Sequence, residues 1–176
     1  MNIMRRKKIK SFTLIEILMY MALASVIVFT ISNLLSTILQ VRTKNKIILE
    51  VEGQGTFLMQ TITQAIRSAR DVNIPAPGAT STMLNLAMDD TAKNPTIFEP
   101  ANKIMSIKEG QGTQISLTSS IIEISDITFQ NLPTGTGVSD TVKIQFTIKS
   151  VSSDPARYEL NFQKTFYGSA SLRNIP

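Results

Sequence analysis

The sequence predicts an α+β protein in which one long N-terminal helix packs on an antiparallel β-sheet. Three observations carry that prediction. From Phe12 to Leu39 run 28 residues of which one, Glu16, is formally charged. Apolar side chains then recur every three or four positions as far as Ala69, the spacing of one helix face. After Pro75 the period drops to two, and short apolar runs alternate with Gly-, Pro- and Ser-rich turns, as strands do.

The apolar run comes first. At about 1.5 Å per residue it forms a helix of roughly 40 Å, longer than the ~30 Å hydrocarbon core of a bilayer. Five cations (Arg5, Arg6, Lys7, Lys8, Lys10) precede it, and a weaker cluster of Arg42, Lys44 and Lys46 follows. That bias predicts a single-pass inner-membrane protein with its N-terminus inside and its C-terminal part outside. A carboxylate within a span is costly unless it finds a partner or reaches the interface, which marks Glu16 as a candidate functional residue.

Beyond the span, Ile48, Val51, Gly55, Leu58, Met59, Ile62, Ala65, Ile66 and Ala69 form one stripe, opposed by Glu50, Glu52, Gln54, Gln60, Gln64, Arg67 and Arg70. The stripe predicts a helix face laid on a sheet. Gly53 and Gly55 each weaken the helix by about 1 kcal/mol relative to Ala and predict a soft spot or kink. Asp71 to Pro75 is expected to end a helix of about 60 residues, because Pro75 cannot extend it. The predicted organisation is a basic leader over 1–11, a span over 12–39, an amphipathic helix over 40–74 and a β headpiece over 75–176.

Expected strands are Met83–Met88, Lys103–Lys108, Thr113–Thr118, Ile121–Gln130, Thr141–Val151 and Arg157–Leu172. Alternation is cleanest in Val142, Ile144, Phe146 and Ile148, with Lys143 and Lys149 on the solvent side. The phase slips at Ser125-Asp126, as a bulge would make it do. Turns are expected at 109–112, 133–137 and 152–155. Strands in this order predict a single antiparallel sheet with one buried face, covered by the helical stripe.

Composition narrows the function. The net charge of +5 belongs to the leader: removing its five cations from 18 leaves 13 Lys and Arg against 13 Asp and Glu. The basic balance therefore speaks of topology, and no nucleic-acid partner is expected. The stretch Phe162–Tyr167 reads as a strand with core-facing rings, not as a stacking platform. With no His and no Cys, the Ser/His/Asp and Cys/His nucleophile arrangements are impossible and disulfides are absent. No phosphate-binding glycine motif is present, and Gly110-Gln111-Gly112 reads as a turn. Asp89, Asp90 and Glu99 lack the spacing of a calcium loop and read as a solvated segment. No enzyme activity, metal or cofactor is expected.

A secretory signal peptide would have an apolar stretch half as long, followed by a small-residue cleavage site. Here the small residue at a boundary, Ser11, lies before the run. Lys10-Ser11 followed by Phe12-Thr13-Leu14-Ile15-Glu16-Ile17-Leu18 resembles the signal of type IV prepilins and of the pseudopilins of type II secretion. The resemblance implies cleavage between Ser11 and Phe12 by a prepilin peptidase that reads the Lys10 side of the leader. It also implies methylation of the new Phe12 amine, and a role for Glu16 in drawing the subunit into a hetero-oligomeric filament with other pilins. Two departures stand out. The family usually has Gly where this chain has Ser11, and many major pilins have a helix-distorting Pro where this chain has Asn33. The second departure fits a minor subunit. The ending Ser171-Leu172-Arg173-Asn174 is similar to that of J-type minor pilins and pseudopilins. The competing expectations are a single-pass, signal-anchored extracytoplasmic binding protein, which would keep its leader and have no use for Glu16, and a membrane-tethered hydrolase, for which no catalytic pair stands out.

Overall fold

The computed structural model describes residues 13–133, 140–151 and 161–173. Its elements are one helix, α1 (Leu14–Ser68), and nine strands: β1 (Ala69–Ile74), β2 (Thr80–Ser81), β3 (Leu84–Met88), β4 (Thr96–Ala101), β5 (Ile104–Glu109), β6 (Ile115–Ser116), β7 (Ile122–Leu132), β8 (Thr141–Ser150) and β9 (Gln163–Ser171). The chain forms two compact units, Met1–Thr43 and Lys44–Pro176.

In the first unit, α1 is a helix whose apolar side chains from Leu14 to Val41 are exposed. Among the described residues α1 is the one helix long and apolar enough to cross a membrane. Its polar side chains turn inward on their own backbone. The Ser25, Thr30, Ser32 and Thr37 hydroxyls donate to the carbonyls of Ala22, Val26, Val28 and Asn33 at 2.8, 2.8, 2.9 and 3.0 Å. The Asn33 amide donates to the Phe29 carbonyl at 3.0 Å, and the helix runs through Asn33 without a break. Back-bonding of this kind supplies a partner for groups that hydrocarbon cannot satisfy.

In the second unit the helical stripe is buried as expected: Val51, Gly55, Leu58, Ile62 and Ile66 are closed off from solvent. Each large apolar side chain so buried stabilises the fold by about 2 kcal/mol. Gly53 and Gly55 lie within unbroken helix, so no kink forms there. Gly55 serves contact instead of flexibility. A Cβ at that position would overlap the ring of Phe166, and one at Gly168 would strike Met59 Sδ. Glycines on opposite partners thus let α1 and β9 approach closely, each taking the other's large side chain. The Phe166 ring stacks on Phe146 of the adjacent strand at 5.4 Å between centroids, and Lys164 bonds Glu52 of α1 at 2.6 Å.

The helix ends six residues earlier than its expected limit at Ile74. The Ser68 hydroxyl turns back to the Gln64 and Ala65 carbonyls, and Ala69–Ile74 leaves the helix to pair antiparallel with β3. Val72 and Ile74 are β-branched, and Asp71 and Asn73 are poor helix formers, so the segment gains more from a ladder than from further turns. A second correction concerns the sheet. Two sheets form, a five-stranded one in the order β1-β3-β4-β5-β6 and a four-stranded one in the order β2-β7-β8-β9. The strand that makes the difference is β4, within the segment expected to be loop between Met88 and Pro100. Its Phe98 is fully buried, and β4 pairs with β3 and β5 on either side. Asn102 and Lys103, both at positive φ, make the two-residue β4–β5 turn, the backbone type that matches strand twist.

Strands β3, β5, β7 and β8 lie within two residues of their expected bounds, whereas β6 keeps two of its six expected residues, β9 begins only at Gln163, and β2 falls in a segment expected to be loop. Tyr167 is exposed, so its ring does not face the core, contrary to expectation. Val142, Ile144, Phe146 and Ile148 are buried, whereas Lys143 and Lys149 are exposed. The register of β7 against β8 slips between Ser125 and Thr128, and Asp126 takes φ 51° there, so the expected bulge is present. One contiguous core joins α1 to both sheets, with Leu84, Leu86, Phe98 and Met105 from the first and Ile124, Phe129, Ile144 and Phe146 from the second. The Lys103 carbonyl, which accepts from Ile124 N at 2.8 Å, ties the sheets at one point. The expectations that concern residues 134–139 and 152–160 lie outside the described residues.

Candidate functional site

The carboxylate singled out in the apolar run sits where a helix best tolerates one. Thr13 precedes the first residue of α1, and its hydroxyl accepts from Glu16 N at 3.4 Å while its carbonyl accepts from Glu16 N and Ile17 N. Thr13 and Glu16 thus have the spacing of a capping box, Thr-x-x-Glu. Glu16 occupies the first turn, where the unpaired N–H groups make the helix end positive and favour an anion by about 0.3–1 kcal/mol. Sequence reading treated Glu16 as a charge set oddly within a span. Its place at the helix start offsets part of the cost of such a charge and sets the carboxylate at the end of the apolar run, within reach of the interface.

A second partner lies one turn further on. The Tyr20 hydroxyl donates to Glu16 Oε1 at 3.3 Å. Sequence reading passed over Tyr20, although the i, i+4 spacing of a phenol and a carboxylate was there to be read. The pair leaves Glu16 half-buried by its own helix, among exposed apolar side chains. Such a group can accept a hydrogen bond or attract a cation. Lys10, Ser11 and Phe12, the residues expected to mark leader recognition, cleavage and methylation, lie outside the described residues.

Several of the other described carboxylates have partners within the second unit. Asp90 Oδ1 accepts from Ala92 N at 2.9 Å in the bend after β3. Glu99 stands on β4 and accepts from Gln114 at 3.1 Å. Glu109 and Glu123 pair with Lys93 and Lys103 at 3.7 and 3.1 Å on the surface, contacts worth about 0–1 kcal/mol. Among the described residues no three Asp or Glu side chains converge so as to hold a metal ion.

No protein-family model, no curated protein and no solved structure matches the chain.

Proposed function

We propose that the chain is a minor pilin or pseudopilin, a non-enzymatic structural subunit of a type IV pilus-like or type II secretion filament. In this reading a prepilin peptidase cuts between Ser11 and Phe12 on the Lys10 side of the span and methylates the Phe12 amine. The observation that carries the reading is the combination at one helix start. A leader-like Lys10-Ser11-Phe12 junction stands directly before an exposed apolar helical segment that carries one formal charge as far as Leu39, and that charge, Glu16, lies in the first turn.

The chemistry of that turn supports the role given to Glu16. A half-buried carboxylate on an apolar helix surface is balanced by the amine that cleavage would create on a neighbouring subunit. When such helices pack together away from water and lipid headgroups, a subunit in the wrong axial register leaves both charges unpaired. The pair then sets register more than it adds stability, as a buried polar residue does in coiled coils. Because the acid is retained, the subunit has a neighbour to receive it and sits below the outermost position of the filament.

The test is the N-terminus of the protein recovered from membranes in the presence of the peptidase. Mass spectrometry is expected to find a methylated Phe12. An intact Met1 would overturn the filament reading in favour of a signal-anchored binding protein.

A further inference from the structure

Where the chain enters the second unit, α1 and two strand ends enclose a groove of about 180 Å³. Its floor is Val51 and Ile122, both buried, and its walls include Ile47, Ile121 and Val151, with Lys46 on the rim. Ile121 immediately precedes β7 and Val151 immediately follows β8; the Val151 N–H donates to the Ile121 carbonyl at 2.9 Å, which holds the two side chains at one end of the sheet. They are 55% and 44% exposed, and with Ile47 they form a small apolar patch beside the core. The Glu50 carboxylate, which also lines the groove, is engaged by the Gln54 amide at 2.7 Å.

Three facts select the occupant. Between Leu39 and Ile47 the chain carries Arg42, Lys44 and Lys46 and no acid. Lys46 follows Leu39 by seven residues, a tether that cannot exceed about 25 Å even fully extended. The apolar rim consists of two side chains, far below the ~800 Å² that each partner contributes to a standard protein interface. A lipid surface needs no such area and no shape complementarity. It takes apolar side chains to a depth of roughly 5–10 Å and holds cations at its phosphates.

We propose that this groove is a membrane-docking surface. Ile121 and Val151 enter the headgroup–acyl boundary of the bilayer that α1 enters, and Lys44 and Lys46 lie against anionic lipid phosphates. The inference rests on α1 being a span and is independent of the filament reading. Docking would hold the second unit against the membrane until some other contact draws it away.

The chain has no cysteine, so single probe sites can be placed cleanly. Val151→Cys and Ile121→Cys give two independent probes in the groove. Ser171→Cys is the control, since Ser171 pairs with Thr141 at the far end of β8, about 30 Å from Ser150 at the strand rise. The full chain is labelled with a polarity-sensitive fluorophore and reconstituted in phosphatidylcholine vesicles containing a quarter phosphatidylglycerol, with a spin label at an upper acyl carbon. Quenching is expected at 151 and 121 and not at 171. Lys46→Glu is expected to lower the docked-to-free ratio by about fivefold or more, the weight of one cation near an anionic surface. Equal quenching at all three positions would overturn the proposal. So would a signal at 151 that ignores the spin label and grows with the protein-to-lipid ratio, which would assign the groove to a second copy of the chain.

Discussion

Gly53 and Gly55 lie two positions apart in α1 and answer to opposite forces. Nothing lies within 4 Å of a Cβ at Gly53, whereas one at Gly55 would meet the Phe166 ring. Replacing either glycine by Ala relieves a helix penalty of about 0.5–1 kcal/mol. At Gly53 that gain stands alone, so Gly53→Ala is expected to raise the denaturant midpoint. At Gly55 the Phe166 ring must move, and it is stacked on Phe146. Overpacking costs about 1–3 kcal/mol, so Gly55→Ala is expected to lower the midpoint despite the better propensity. Equal stabilisation by both would show that the ring yields freely. Two further substitutions test the proposed function. Ser11→Leu is expected to accumulate as precursor where Ser11→Gly matures normally, read by the size of the membrane-bound product. Glu16→Ala is expected to insert and be cleaved, yet to co-purify poorly with partner subunits. Glu16→Gln should rescue it little, because an amide cannot balance an amine. Recovery of the Ala variant at the wild-type level would remove Glu16 from assembly.

The helical stripe and the two sheets stabilise one another, and Ile62 lies at the centre of that contact with no exposed surface. Ile62→Asp would bury an unpaired charge at a cost of several kcal/mol, so the second unit is expected to lose its cooperative thermal transition. Strong periodicity made such elements legible. The stripe from Val51 to Ile66 and the alternation of Val142 to Ile148 could be read because four or more side chains repeat one phase. Even the bulge announced itself, as a break in the phase of β7. What stayed illegible was short. In β4 the buried pattern rests on Thr96 and Phe98, one apolar residue flanked by Pro95 and Pro100, which read as loop punctuation. In β1 the signal was masked by continuity with the helix, since Ala69 and Val72 prolong its three-residue spacing. With these strands and the two-residue β2 unread, two sheets read as one.

The division of the chain near Thr43 predicts that the second unit stands alone. A fragment beginning at Arg42 keeps every residue of the sheets and the buried half of α1, and is expected to be soluble and monomeric by analytical ultracentrifugation. An aggregated fragment would show that its core depends on the apolar segment. Of the candidate site, Glu16 was legible because a lone charge in an apolar run is conspicuous. Tyr20 and the groove were not: one needed the spacing of two polar groups to be weighed together, the other the meeting of strand ends remote in sequence. The hydroxyls and amide of Ser25, Thr30, Ser32, Asn33 and Thr37 bear on how the first unit behaves among like helices. Each is already bonded to the carbonyl of its own preceding turn, so none has to be released or matched when the helix rotates about its axis or slides along a neighbour. Over this stretch these five polar groups impose no register of their own, and the packing of the apolar side chains is what a neighbouring helix meets. Polar directionality in any assembly built on α1 is then left to its ends, to Glu16 at one and the sheets at the other.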